Sequence, residues 1–429
     1  MRSRYRFLYG AAAYLLIPVV ALVMLWRGWR ERGYWKNLPE RFGFGRALAT
    51  PSIWVHAVSV GEVQAAAALV LNLGARYPVI PLVLTTATPA GAQRARALFD
   101  ERVDVRFVPF DLPGAAHRFF ERVRPRLAII FETELWPNLY HECRTHRVPL
   151  ILASARLSPR SVRRYRRLLG LFEDTLAEGV VIAAQAPADA ERFRAVGAPA
   201  AQIHVTGNLK FDFTLPEEAR ARGLKLREYH AAQRAVWVAG STHAGEEEIL
   251  LDAQRQLQRL HPDALFVLVP RHPPRFAGIA SVLAREGTAF VKVSQHIPCN
   301  ADTSVLLVDS LGELLDFYAA ADVAFVGGTL VPIGGHNLLE PAALGLPILC
   351  GPHYSNSEDI AQLLITRGAL EVVHGAAQLA QTLAALLADP KERARRGELA
   401  RASLEDNRGA LQKLLRLIDP LLQNQLSGG

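Results

Sequence analysis

Three short stretches in the first half of the chain hold residues whose types and spacing suit chemistry. The first reads His56-Ala57-Val58-Ser59-Val60-Gly61-Glu62-Val63. Glu62 stands where an apolar run gives way to an amphipathic one. A carboxylate there either meets the dipole of a helix N-terminus or serves as general base toward a hydroxyl. The second reads Phe131-Glu132-Thr133-Glu134-Leu135-Trp136-Pro137-Asn138. Two carboxylates at a strand end suit a site, and they equally suit the cap of a following helix. The third reads Gly207-Asn208-Leu209-Lys210-Phe211-Asp212. Lys210 is either a cation facing an anionic ligand or a solvated linker lysine.

The second half carries features suited to binding an anion. Gly240-Ser241-Thr242-His243-Ala244-Gly245 runs into Glu246, Glu247 and Glu248. A small-residue loop between strand and helix is a natural anion nest, and the glutamates fit a first helical turn. Pro270-Arg271-His272-Pro273-Pro274-Arg275 places two arginines and a histidine at a strand end, a plausible phosphate or carboxylate clamp. The most distinctive stretch contains Asp309-Ser310-Leu311-Gly312-Glu313, Gly327-Gly328 and Gly334-Gly335-His336-Asn337-Leu338-Leu339-Glu340-Pro341. Paired glycines let backbone approach a ligand closely. The helix start that follows favours phosphate, and Glu340 is in place to accept hydrogen bonds from a ribose.

These residues need a scaffold, and the apolar pattern supplies one. Runs at 52–59, 79–86, 104–110, 126–132, 148–154, 180–185 and 203–207 are continuous rather than alternating. Such runs predict parallel strands buried on both faces. Amphipathic stretches at 60–76 and 89–99 predict crossover helices, and 208–234 reads as a polar connection. The pattern restarts at 235–240, 265–270, 289–294, 304–309, 323–327 and 346–350. The expected fold is α/β: two Rossmann-like domains facing each other across a cleft, at 35–212 and 213–405. A last helical segment, 406–429, is placed to pack back on the first domain. Neither domain opens with GxGxxG and no Walker A loop occurs, which argues against a dinucleotide cofactor and ATP hydrolysis.

Bulk properties narrow the partners. The chain has 429 residues, half of them apolar, and a net charge of +8. That excess suits nucleic acid, an anionic membrane or a phosphorylated substrate. No basic motif interleaved with aromatics favours nucleic acid. Cys143, Cys299 and Cys350 are far apart, which argues against a disulfide framework or a zinc site. Residues 7–26, FLYGAAAYLLIPVVALVMLW, carry no charge and predict one membrane-spanning helix within a 1–34 anchor segment. The heavier basic flank follows this stretch, which places the body on the cytoplasmic side of the membrane.

HAVSVGEV, FETELWPN, ARLSPRS, GNLKFD, GSTHAGEEE, PRHPPRF, GELLDFY and VGGTLVPIGGHNLLEP follow one another in this order. Together they resemble the 3-deoxy-D-manno-octulosonic acid (Kdo) transferases, glycosyltransferases of the two-Rossmann-domain type called GT-B. The resemblance implies an inverting, metal-independent enzyme without cofactor, which moves Kdo from CMP-Kdo to the lipid A precursor (lipid IVA) in lipopolysaccharide synthesis. It implies Glu62 as proton acceptor, with Glu132 and Lys210 stabilising the transition state. It assigns nucleotide contacts to Pro270, Arg271, Leu311, Gly312, Glu313, Asn337, Leu338, Leu339 and Glu340. Arg156, Arg160 and the basic run to Arg167, six arginines in twelve residues, fall near the acceptor. The alternative is another GT-B lipid glycosyltransferase with a UDP-sugar donor.

Overall fold

The computed structural model describes residues 2–166, 169–176 and 179–427. Arg167 lies outside the described residues. The chain divides into two compact units, Met1–Asp212 with Asn407–Gly429, and Phe213–Asp406.

The first unit is built on seven strands: β1 (Ser52–His56), β2 (Leu82–Thr86), β3 (Asp104–Phe107), β4 (Pro125–Phe131), β5 (Leu150–Ala155), β6 (Val180–Ala184) and β7 (Ile203–Val205). All pair in parallel, in the order β3-β2-β1-β4-β5-β6-β7. Helices cover both faces, so each strand must be apolar throughout, and β1 is buried at every position. Ile53 and Val55 point to one core, while Trp54 points to the other.

Six helices of this unit matter below: α1 (Arg2–Leu15), α2 (Ile17–Arg30), α3 (Val60–Arg76), α4 (Pro89–Phe99), α5 (Pro113–Val123) and α6 (Pro137–Thr145). The bounds of α3 and α4 coincide with the stretches read from the sequence. The chain's last helix, Ala410–Ser427, packs into the core shared with α3 through Leu414, Leu415, Ile418 and Leu422. Each such burial contributes about 1.5–3 kcal/mol. Asp419 adds bonds to Arg76 at 2.7 Å and Tyr77 at 2.9 Å.

The second unit repeats the plan with β8 (Val236–Thr242), β9 (Leu265–Pro270), β10 (Phe290–Lys292), β11 (Val305–Leu307), β12 (Val323–Val326), β13 (Ile348–Cys350) and β14 (Leu370–Val372). Their order is β10-β11-β9-β8-β12-β13-β14. Each sheet has a switch point, where neighbouring strands lead to crossovers in opposite directions. It falls between β1 and β4 in one unit and between β8 and β12 in the other. Ligands of such sheets bind outside the carboxyl ends of strands at that point.

The N-terminal expectation needs correction. Residues 7–26 do not form one helix: α1 and α2 are bent by 48° about Leu16. Pro18, in the first turn of α2, has no N–H and its ring crowds the carbonyl four residues back, so an unbroken helix is disfavoured there. Among the described residues no single helix is long and apolar enough to cross a membrane, while the bent pair passes by length and composition together. Its surface is strongly apolar: Phe7 is 75% exposed, Leu15 80%, Leu22 67% and Trp29 80%. The pair is also tied to its own unit. Tyr9 hydrogen-bonds Asp111, and the Gly114 N–H donates to the Tyr14 hydroxyl at 3.2 Å.

Candidate active site

The sequence-predicted carboxylates collect at the switch point of the first sheet. Glu62 follows β1 and Glu132 follows β4, the strands that flank it. Ser59 caps α3, its Oγ accepting the Glu62 N–H. Glu62 reaches back: Oε2 accepts the Val58 N–H at 2.8 Å, and the Ser59 hydroxyl donates to Oε1 at 3.4 Å. This is a variant of the capping box. The carboxylate therefore does steady the helix start, as one of the two sequence readings required. That role leaves room for the other. Burial pushes Glu62 up to about 7; the Val58 bond opposes this, and the charges of Glu132 and Glu134 add to it. A carboxyl group poised near neutrality is suited to taking a proton. Glu134 is likewise pushed to about 7, by burial and by Glu132.

Lys210 and Glu132, far apart in sequence, form a pair: Nζ lies 3.2 Å from Oε1. Both are set by local backbone. Glu132, the first residue past β4, has φ 54°, a left-handed conformation that costs a non-glycine residue about 1–3 kcal/mol and clusters at functional sites. Ser154, also left-handed at 52°, interrupts the β5–β6 register. Its buried Oγ accepts from Gln185 Nε2 at 3.2 Å and from the Leu209 N–H at 3.4 Å. Ser154 thereby holds the short turn Leu209–Asp212 that presents Lys210. Sequence reasoning missed Ser154 and Gln185; a serine in an apolar run gives no signal until the register shift is seen. His56, by contrast, is a core residue, bonded to Thr85 through Nδ1 and pushed down to about 4 by burial.

The second unit builds its own arrangement at its switch point. Glu246 is fully buried and gathers four backbone N–H groups: His243 at 2.9 Å, Gly328 at 2.7 Å, Thr329 at 3.0 Å and Leu330 at 2.9 Å. It clamps the glycine-rich loop after β12 to the loop after β8, a role its place in a run of three glutamates did not reveal. Gly328 has φ 71°, and a Cβ there would stand 3.1 Å from the His336 ring. His243 and His336 lie with rings parallel to within 4° and Nε2 atoms 2.8 Å apart. One of those nitrogens carries a proton and donates; the other accepts. Burial, then the positive charges of His243, Arg271 and His272, pushes His336 down to about 4, so this neighbourhood favours an anion.

Of the arginines read as a clamp, only Arg271 is available. Arg275 is held in a two-pronged pair with Glu247. Arg271 is exposed, directly after β9, and makes no side-chain ion pair among the described residues. The remaining nucleotide candidates divide. Leu311, 64% exposed, and Gly312 are open to solvent, while Glu313 is bonded by the Ser310 hydroxyl. Asn337 is exposed and pairs with Glu340 at 3.1 Å, while its Oδ1 accepts the Leu339 N–H at 3.0 Å. Pro270, Leu338 and Leu339 have buried side chains and offer a ligand only main chain.

The family described as 3-Deoxy-D-manno-octulosonic-acid transferase (kdotransferase) matches residues 36–213, and the one described as Glycosyl transferases group 1 matches residues 247–403. The 3-deoxy-D-manno-octulosonic acid transferase of Haemophilus influenzae is 39% identical, over 98% of this chain and 100% of its own length. The chain belongs to the Kdo transferase family. The transferase of the same name from Bordetella pertussis is 37% identical, over 97% of this chain and 99% of its own. Among solved structures, a glycosyltransferase from Rickettsia africae aligns with TM-score 0.56 at 12% identity, over 87% of this Kdo transferase and 100% of that chain. HepE of Anabaena, solved with UDP, aligns with TM-score 0.54 at 14% identity over the same shares. At such identities these likenesses speak for the two-Rossmann fold alone.

Proposed function

We propose that this Kdo transferase moves Kdo from CMP-Kdo to a sugar hydroxyl of the lipid A precursor, lipid IVA, in lipopolysaccharide biosynthesis, with Glu62 as general base. Family membership supports Kdo transfer and sets the UDP-sugar alternative aside. The observation that carries the base is Glu62 itself: a carboxyl group at the switch point, raised to about 7 by burial and by two neighbouring carboxylates.

The reaction follows from these groups. Glu62 takes the proton of the acceptor hydroxyl as its oxygen attacks the anomeric carbon of Kdo. The bond from that carbon to the CMP phosphate breaks on the opposite side, and CMP leaves with the electron pair. One displacement inverts the centre. General-base help of this kind is worth roughly 10²–10⁴-fold. Positive charge develops on the sugar as the leaving group departs. Glu132, paired with the Lys210 ammonium at 3.2 Å, is the group suited to balance it. CMP carries a single phosphate, which Arg271 and the electropositive neighbourhood of His336 are suited to meet in this reading without a metal.

The membrane enters through the bent helix pair and its exposed Phe7, Leu15, Leu22 and Trp29. We place the body on the cytoplasmic side of the inner membrane, from the heavier basic flank that follows the apolar stretch. Arg160, Arg163 and Arg164 on the exposed helix Pro159–Tyr165 suit anionic head groups, at roughly 1 kcal/mol per charge near a surface. Turnover of CMP-Kdo and lipid IVA by wild type and by Glu62→Gln tests the reading: transfer must occur, and the variant must bind CMP yet fail to transfer.

A further inference from the structure

The surface formed by α5 and α6 carries a cluster with no part in the transfer chemistry. His117 and Glu121 are four residues apart on α5 and so share one face. His146 caps the C-terminus of α6. The ligand atoms of these three exposed residues lie within 4.8 Å of one another. Beside them stands Glu142, one turn before His146 and nearly buried. Its Oε2 is 3.2 Å from His117 Nδ1 and 3.2 Å from His146 Nε2, so one carboxylate orients both rings. The His146 ring is further fixed by stacking on Phe120, with centroids 5.5 Å apart.

We propose that His117, Glu121 and His146 form a binding site for a divalent transition-metal ion of the zinc class. Two imidazoles and a carboxylate are zinc donors, and three protein ligands leave a position for solvent. Magnesium and calcium prefer all-oxygen sites, which the imidazoles disfavour. A carboxylate bonded to metal-ligating histidines is the usual supporting arrangement, and Glu142 supplies it whether it stays outside the coordination sphere or enters it. Glu142 also explains why the rings meet at all: the two i,i+4 pairs, His117–Glu121 and Glu142–His146, face each other across the α5–α6 contact. An ion here fastens α5 to α6, the helix that begins where the Glu132–Trp136 loop ends. Because only the folded chain brings the three groups together, binding raises stability. Nothing in this inference depends on the identity of the donor or acceptor.

The test uses the full chain in detergent, with any affinity tag removed and metals stripped by chelator. Zinc chloride is titrated in by calorimetry, and cobalt(II) binding is followed by visible absorption. Wild type is expected to take up one zinc per chain and to unfold at higher temperature with it. Glu142→Gln should bind about 10–100-fold more weakly, and Glu121→Gln at least about tenfold more weakly, since a ligand is lost. His117→Ala/His146→Ala should lose the uptake and the thermal shift. Glu121 is exposed, so the Glu121→Gln protein keeps the test open if the double variant fails to fold. Absence of saturable zinc uptake by wild type overturns the proposal. So does uptake that persists unchanged in the folded double variant, or in Glu121→Gln if the double variant does not fold.

Discussion

Lys210 Nζ sits 3.2 Å from Glu132 Oε1, although 78 positions separate the two residues. The pair joins a strained strand end to a turn fastened by Ser154, so both partners are held before any substrate arrives. Substitution of either should act on the chemical step. Lys210→Ala and Glu132→Gln are each expected to lower kcat by about 10²–10³-fold, as loss of a preorganised electrostatic group does. CMP affinity should change little. A double variant little worse than either single one would show that they act as a unit. Steady-state kinetics of the three proteins, with CMP binding by calorimetry, checks this.

The activity should depend on pH through Glu62. Only the ionised carboxylate takes a proton, and burial sets its titration at about 7. The rate is expected to rise through that region and level off above it. The same shift carries a stability consequence of opposite sense. Folding raises this pKa, so the folded state binds a proton more tightly than the unfolded chain. Glu62 therefore costs stability increasingly as pH rises from about 4.5 toward 7. Glu62→Gln should remove that cost: an inactive protein whose unfolding temperature at pH 8 is no lower than wild type. Thermal unfolding at pH 5 and pH 8, beside pH–rate profiles, reads both effects.

Arg271, exposed at the end of β9, makes no side-chain ion pair among the described residues. Arg271→Ala should weaken CMP binding by about 10–100-fold, the worth of a charge-assisted contact of about 1.5–3 kcal/mol. Arg275→Ala should act differently. It breaks the pair with Glu247 and should lower stability more than it changes CMP affinity. Calorimetric titration of CMP into both variants separates the two roles.

Glu246 is predicted to be structural. Removing its carboxylate strands four N–H groups, those of Gly328 and Thr329 fully buried, and each buried unsatisfied one costs about 1–3 kcal/mol. Glu246→Ala should lose at least about 3 kcal/mol of stability, readable by denaturant unfolding, and CMP binding should fall as the glycine loop loosens.

Membrane binding should track the exposed apolar face of the bent pair. Leu22→Asp with Leu25→Asp is expected to abolish flotation with anionic vesicles. These positions lie in α2, beyond the Tyr9–Asp111 and Tyr14–Gly114 ties, so activity on a detergent-dispersed acceptor should persist.

The scaffold was readable because parallel strands covered on both faces leave continuous apolar runs; thirteen of the strands fall on the runs picked out, and the short β14 does not. The helix Ala219–Ala231 was read as polar connection. Its sequence, ARARGLKLREYHA, shows no apolar stripe because it packs partly through Gly223, where a Cβ would come within 2.4 Å of Ala319. Close backbone approach needs small residues rather than large apolar ones. The break at Leu16 was missed because composition does not feel the crowding around Pro18. At the candidate site, Glu62, Glu132 and Lys210 stood out by type and place. Glu246 and Ser154 did not, since their roles arise from loops that meet only in the folded chain. The cluster at His117 had one local sign, a His and a Glu spaced for a single helix face, with its other members on the next helix.

The most direct test of the account is transfer itself: purified full chain, CMP-Kdo generated in situ and lipid IVA, with and without EDTA, analysed by mass spectrometry alongside Glu62→Gln. The account predicts a product heavier by one or more Kdo units from wild type in both conditions, and none from a folded Glu62→Gln protein that still binds CMP. Full transfer by Glu62→Gln, or none by wild type, would contradict it.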